Sequence, residues 1–239
     1  MNCKLCLQDR QLQNSHIIPE FFYKPAYDDK HRINVLSTLP TEKNRYAQKG
    51  IREKLLCEDC EQLISRWEKY VCDVFFGGVE IKISHDREKV VLQNIDYVKF
   101  KLFQLSILWR SSVATHRFFS MINLGHHEEK IRRMILKNDP GEPHKYGCIM
   151  MMIIDESKPV DSLILQPEFL KYEAHRLYRF TFGSMMWLYF VSSHTVYFAH
   201  KNMFMNESGE VIVFKRKMER INFIQKFAKE LLGAGKLDP

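Results

Sequence analysis

Two Cys-x-x-Cys pairs, Cys3/Cys6 and Cys57/Cys60, constrain this chain more than any other feature. Each pair presents two sulfurs to the same side of a tight turn, and two such knuckles close one tetrahedral site for zinc. With all four positions filled by sulfur, no coordination position is left for water. The expected ion is therefore a structural Zn2+, and any chemistry has to come from other residues. Cys72 and Cys148 stand alone in apolar surroundings and read as buried thiols. The N-terminus (Met1-Asn2-Cys3-Lys4) lacks an apolar signal core, and no uncharged apolar stretch reaches the ~18 residues of a membrane span. These features point to the cytoplasm, to no membrane partner, and to a reducing setting without disulfides.

The chain has 239 residues, of which 45% are hydrophobic and 13% aromatic. That is enough for one large or two small packed domains and excludes an intrinsically disordered chain. The 36 basic residues exceed the 29 acidic ones, for a net charge of +7. A pI of about 9.0 suits a polyanionic partner such as nucleic acid.

No internal repeat or low-complexity stretch divides the chain. Residues 1–80 hold both knuckles and read as a small metal-dependent module, and the polar run Ser84-His85-Asp86-Arg87-Glu88-Lys89 is the expected boundary before a second unit over 90–239. In the first unit, short strands are expected over 16–18 and 32–36, with a turn at Leu39-Pro40. Leu63, Ile64, Trp67, Tyr70, Val71 and Val74 follow helical spacing, so the second knuckle opens a helix that Gly77-Gly78 ends. In the second unit, residues 97–115 predict a core helix, 126–137 a second and 217–232 an amphipathic third. Strands are expected over 146–154, 172–182, 185–192, 195–200 and 211–214, with a turn at Asn206-Glu207-Ser208-Gly209. The fold class is α+β, a zinc module followed by an antiparallel sheet packed with helices.

Between the knuckles lies Ser15-His16-Ile17-Ile18-Pro19-Glu20. The order Cys-x-x-Cys, His-Ile-Ile-Pro, then Leu-Leu-Cys-x-x-Cys, a polar residue and a helix resembles the zinc-stapled branch of the HNH endonucleases, whose ββα-metal core is a treble clef. The resemblance covers residues 3 to about 70. It implies that His16 is the general base that activates water for attack on a phosphodiester. It also implies a second divalent ion, Mg2+ or Mn2+, at positions that fall on Ser15 and Glu61. Three positions depart from the family pattern. Ser15 stands where an acidic residue or a second histidine is usual, Glu61 where His or Asn is usual, and Arg52, beside Glu53, where the middle Asn is expected. Glu61 offers carboxylate oxygens that suit Mg2+ or Mn2+, and equally an acidic residue placed for the dipole of a helix start.

Other groups bear on partners. Arg52 and Lys54 beside the histidine module, and Lys215, Arg216 and Lys217 near the last helix, are candidate phosphate contacts or solvated faces. His126-His127-Glu128-Glu129 lacks metal-ligand spacing on a helix and reads as a solvated helix start. The functions left open are an HNH-like endonuclease cutting DNA rather than RNA, by analogy in phage defence, and a catalytically inactive treble-clef zinc module that binds nucleic acid or a partner protein. In either, residues 90–239 serve substrate or partner recognition.

Overall fold

In the computed structural model, residues 2–36, 41–193 and 198–236 are described, without the side chains of 198–200. The turn expected at Leu39-Pro40 lies outside them. The strands are β1 (Leu12–His16), β2 (Ile33–Val35), β3 (Arg45–Ala47) and β4 (Arg52–Cys57), followed by helix α1 (Glu58–Phe76). Then come β5 (Lys82–His85), β6 (Lys89–Gln93), α2 (Tyr97–Val113) and α3 (His126–Leu136). The chain closes with β7 (Cys148–Asp155), β8 (Lys158–Pro159), β9 (Leu165–Tyr172), β10 (His175–Phe182), β11 (Met185–Val191), β12 (Val211–Lys217) and α4 (Asn222–Gly233).

The N-terminal part is a knuckle, a pair of strands and a helix. Leu7 takes a left-handed φ of 63° and donates its N–H to the Cys3 carbonyl at 2.9 Å, which closes the first knuckle. β1 pairs antiparallel with β4, with His16 opposite Arg52 and Leu12 opposite Cys57. The knuckle is tied onto the end of this pair by the Lys4 N–H on the Leu55 carbonyl (2.9 Å). A strand was expected over 16–18; instead β1 precedes the histidine and ends on it, because Pro19 has no N–H to continue a ladder. Cys57 caps α1, whose buried stripe is Cys60, Ile64, Trp67, Val71 and Val74. That spacing sets one face against the core.

The larger sheet runs β5-β6-β12-β7-β11-β10-β9, with β8 on β7. The fold is α+β as expected, and all pairings in this sheet are antiparallel except β12 with β7, which is parallel. Of Ser84 to Lys89, residues 86–88 are the turn of the β5/β6 hairpin and the others are its strand ends. There Asp86 Oδ1 accepts from the N–H groups of Glu88 (2.7 Å) and Lys89 (2.8 Å), so its polarity reflects turn chemistry. β7 and β11 are nearly continuous apolar runs because both faces of the sheet are covered. Met150, Trp187 and Tyr189 join the cluster that includes α1 and α2. On the opposite face, Ile149 and Phe190 pack with Phe204, and Ile153 and Met186 with Ile221 and Ile224 of the last helical segment.

Three expectations change. The strand expected over 172–182 is β10, which starts at His175; Tyr172 ends a preceding strand, β9, with Glu173 at a φ of 52° in the turn between them. Of the strand expected over 195–200, residues 195–197 lie outside the described residues, and Phe198–Met203 is a 3₁₀ helix. The last helix begins at Asn222, not 217, because Lys217 is still paired with Ile154 in the sheet.

The two parts share one apolar core. The cluster that holds Cys3, Ile17 and Phe22 continues through α2 to Val213 of β12. At Gly183, whose φ is 60°, an added Cβ would meet Phe22 Cδ1 at 2.2 Å. The β10/β11 turn can therefore sit against the N-terminal part only because this residue has no side chain. No helix among the described residues is long and apolar enough to cross a membrane.

Candidate active site and metal centre

The four sulfurs of Cys3, Cys6, Cys57 and Cys60 lie within 4.8 Å of one another. Cys6 and Cys57 Sγ are 3.8 Å apart. Sulfurs on a tetrahedron with Zn–S near 2.3 Å are about 3.8 Å apart, so the cluster has the dimensions to hold zinc. Burial opposes ionisation of Cys3, and the backbone N–H groups around it outweigh burial and bring it to about 7. Cys60 is pushed up, first by burial and then by the neighbouring sulfurs. Thiolates crowded in this way repel one another, and a dication among them removes that penalty.

His16, at the end of β1, is the centre of a second constellation. Arg52, directly across the pair, donates its Nε–H to His16 Nε2 at 2.7 Å. Glu20 Oε2 lies 2.6 Å from the same nitrogen, and Arg52 Nη2 is 3.7 Å from that oxygen. The Tyr27 hydroxyl donates to the other Glu20 oxygen at 2.5 Å. A ring nitrogen carries either a lone pair or a proton, so Nε2 cannot accept from Arg52 and donate to Glu20 at once. The hydrogen-bond geometry gives the lone pair to Arg52. Burial first and the Arg52 charge second hold His16 below its ordinary value, against the pull of Glu20. For Glu20, burial acts to raise the carboxyl, and Tyr27, His16 and Arg52 together outweigh it, so the group stays ionised.

The backbone of His16 is held from behind by the core helix. Arg110 of α2, 1% exposed, donates to the His16 carbonyl at 2.6 Å and to Glu68 Oε1 of α1 at 2.6 Å. Glu68 also acts on His16 through its charge. Arg110 escaped the sequence reading, although the signal was there: a charge inside the apolar run of 97–115 has to be paired if that helix is buried.

Ser15 and Glu61 form a neighbouring group. Successive residues of a strand face opposite sides, so Ser15 turns away from the side of His16. Ser15 is 1% exposed. Its hydroxyl favours the Glu61 anion without forming an aligned hydrogen bond, since neither Ser15 Oγ nor Glu61 Oε1 has a hydrogen-bond partner among the described residues. Burial raises Glu61, and Glu68 adds to the effect, against Ser15 and Arg110. Two buried oxygens without donors are, in kind, the ligands that a hard divalent cation takes. His16 and Glu61 share Glu68 as an electrostatic neighbour rather than touching through an interaction of their own.

The other candidates fall elsewhere. Lys54 is an exposed residue of β4 opposite Asn14. Lys215, Arg216 and Lys217 belong to the end of β12 rather than to a helix, and Lys215 Nζ donates to the Asp86 carbonyl at 2.6 Å. Alternation along the strand places Arg216 on the opposite face from its two neighbours. His127, expected to be solvated, is buried and bonded to the Tyr146 hydroxyl at 3.0 Å. Comparisons with family models, with curated proteins and with solved structures found no match to this chain.

Proposed function

We propose that this protein is a metal-dependent endonuclease of HNH type that hydrolyses phosphodiester bonds of DNA, with His16 as the general base. The observation that carries the reading is the state of His16. Its Nε2 accepts a hydrogen bond from Arg52, on a strand paired with the one that runs into Cys57 and tied at the His16 carbonyl to the buried Arg110. A neutral imidazole fixed in this way is the form a base needs.

In the reaction, Nε2 takes one proton from a water molecule while the water oxygen bonds to phosphorus. The bond from phosphorus to the leaving oxygen breaks, and solvent returns a proton to that oxygen. Glu20 Oε2, 2.6 Å from Nε2, then faces an imidazolium and holds it by a charge-assisted hydrogen bond. Ser15 and Glu61, the positions the resemblance gives to a Mg2+ or Mn2+ ion that would neutralise charge on the phosphoryl group and the leaving oxygen, are buried on the other side of β1 from His16, so no step at His16 is routed through them. The zinc staple keeps β1 and α1 in register and takes no part in the chemistry.

Plasmid nicking in Mg2+ or Mn2+ tests this reading, with His16→Ala expected to lose on the order of 100-fold or more of the rate. Absence of nicking by the wild type, or equal nicking by the variant, rejects it. A second reading, an inactive treble-clef module that binds nucleic acid, is favoured by Arg52 at the position of the middle Asn, where it caps the base nitrogen. Salt-dependent DNA binding without cleavage is its signature.

A further inference from the structure

The contact between Arg52 and His16 gives one guanidinium two tasks. A base that is to remove a proton from water needs its lone pair free, and here the Nε–H of Arg52 occupies it at 2.7 Å. The hold is slight. Besides that one bond, the guanidinium has a loose ion pair with Glu20 at 3.7 Å, beyond hydrogen-bond reach. The Arg52 side chain is 26% exposed, so solvent and solutes reach it. A phosphate diester offers the same fork two charged oxygens in a bidentate geometry, a stronger arrangement than a single bond to a neutral ring nitrogen.

The carboxylate beside it completes the device. With Arg52 in place, Glu20 Oε2 lies 2.6 Å from the same Nε2 whose lone pair the guanidinium occupies. Glu20 Oε2 has no hydrogen-bond donor among the described residues. Arg52 is thus the cation set between a ring nitrogen and a carboxylate, and its departure leaves the Nε2 lone pair open. The Tyr27 hydroxyl pins Glu20 through its other oxygen, so the carboxylate stays when the guanidinium moves.

We propose that Arg52 is a phosphate-released latch: it caps His16 Nε2 in the free protein and leaves it for the phosphate of an incoming ligand, so that binding uncovers the base. This rests on the endonuclease reading for its purpose, though the latch itself is a property of the site that can be measured without turnover. Arg52 is then a positioning residue for His16 and a contact for phosphate.

The test uses the zinc-loaded full chain labelled with 15N-histidine, following the His16 Nε2 resonance as inorganic phosphate is added at fixed pH and ionic strength. The wild-type resonance is expected to move saturably toward the position it holds in Arg52→Gln without phosphate. In that variant phosphate should bind about 10- to 100-fold more weakly and leave the resonance where it is. A wild-type resonance that phosphate does not move overturns the latch, whether or not phosphate binds elsewhere. So does a resonance identical in wild type and Arg52→Gln. The wild-type titration keeps the test decisive should the variant fold poorly, and Arg52→Lys, which keeps the charge but loses the fork, serves as a second variant. Failure of the endonuclease reading shows separately, as no plasmid nicking by a protein whose His16 resonance still responds to phosphate.

Discussion

Arg110 shows how one buried charge can serve a surface site. It lies 1% exposed inside a helix whose neighbours are Trp109, Leu108 and Ile107. It is retained there by the His16 and Ser106 carbonyls, the Ser106 hydroxyl and Glu68. Replacing it with leucine removes a desolvated charge but strands Glu68 and the His16 carbonyl. Arg110→Leu is expected to cost about 3 kcal/mol in urea unfolding, and Arg110→Leu/Glu68→Gln to recover part of that loss. A single variant as stable as the wild type would mean that the pair adds nothing. The sequence singled out His16 from its place between the knuckles. It could not single out Glu20 or Tyr27, whose proximity to the ring depends on how Pro19 turns the chain, nor name the partners of Arg110, which depend on how α2 packs on α1.

At the level of elements, α3 is fastened to the segment before β7 by a histidine that the sequence reads as solvated. His127 is buried, bonded to Tyr146, and lies near His126, Lys130 and Arg176. Burial first, and those positive neighbours second, bring it down to about 4. The unfolded chain therefore takes up the proton first, at its ordinary value near 6.5. The stability from this group is complete above about pH 6.5 and is lost as the pH falls toward 4, by up to about 3 kcal/mol. The check is the difference between wild type and His127→Gln in unfolding free energy across that window, where a constant difference would reject the assignment. Helix boundaries at α1, α2 and α3 were legible because their apolar spacing is helical and Gly77-Gly78 ends α1. The strands β4, β5, β6 and β9 were not. They are short or half exposed, and their alternation is broken by charges that face solvent.

For the whole molecule, the continuous core makes the metal staple a global matter. The cluster that begins at Cys3 runs without a break to β12, and a structural zinc in a small module contributes an apparent binding energy on the order of 10–16 kcal/mol. Chelation of the metal, or Cys57→Ser, is thus expected to lower the midpoint of a single calorimetric transition. Two transitions, with the upper one unmoved by chelator, would show instead that residues 90–239 stand alone. The sequence by itself determined the cysteine site, the helices and the histidine, since a metal site of this spacing and an apolar period of 3.6 are local properties. Tertiary structure alone decided what surrounds that histidine. Its partners come from the turn after β1, from β4 and from the last turn of α2, and only packing of the shared core brings such distant residues within hydrogen-bond reach.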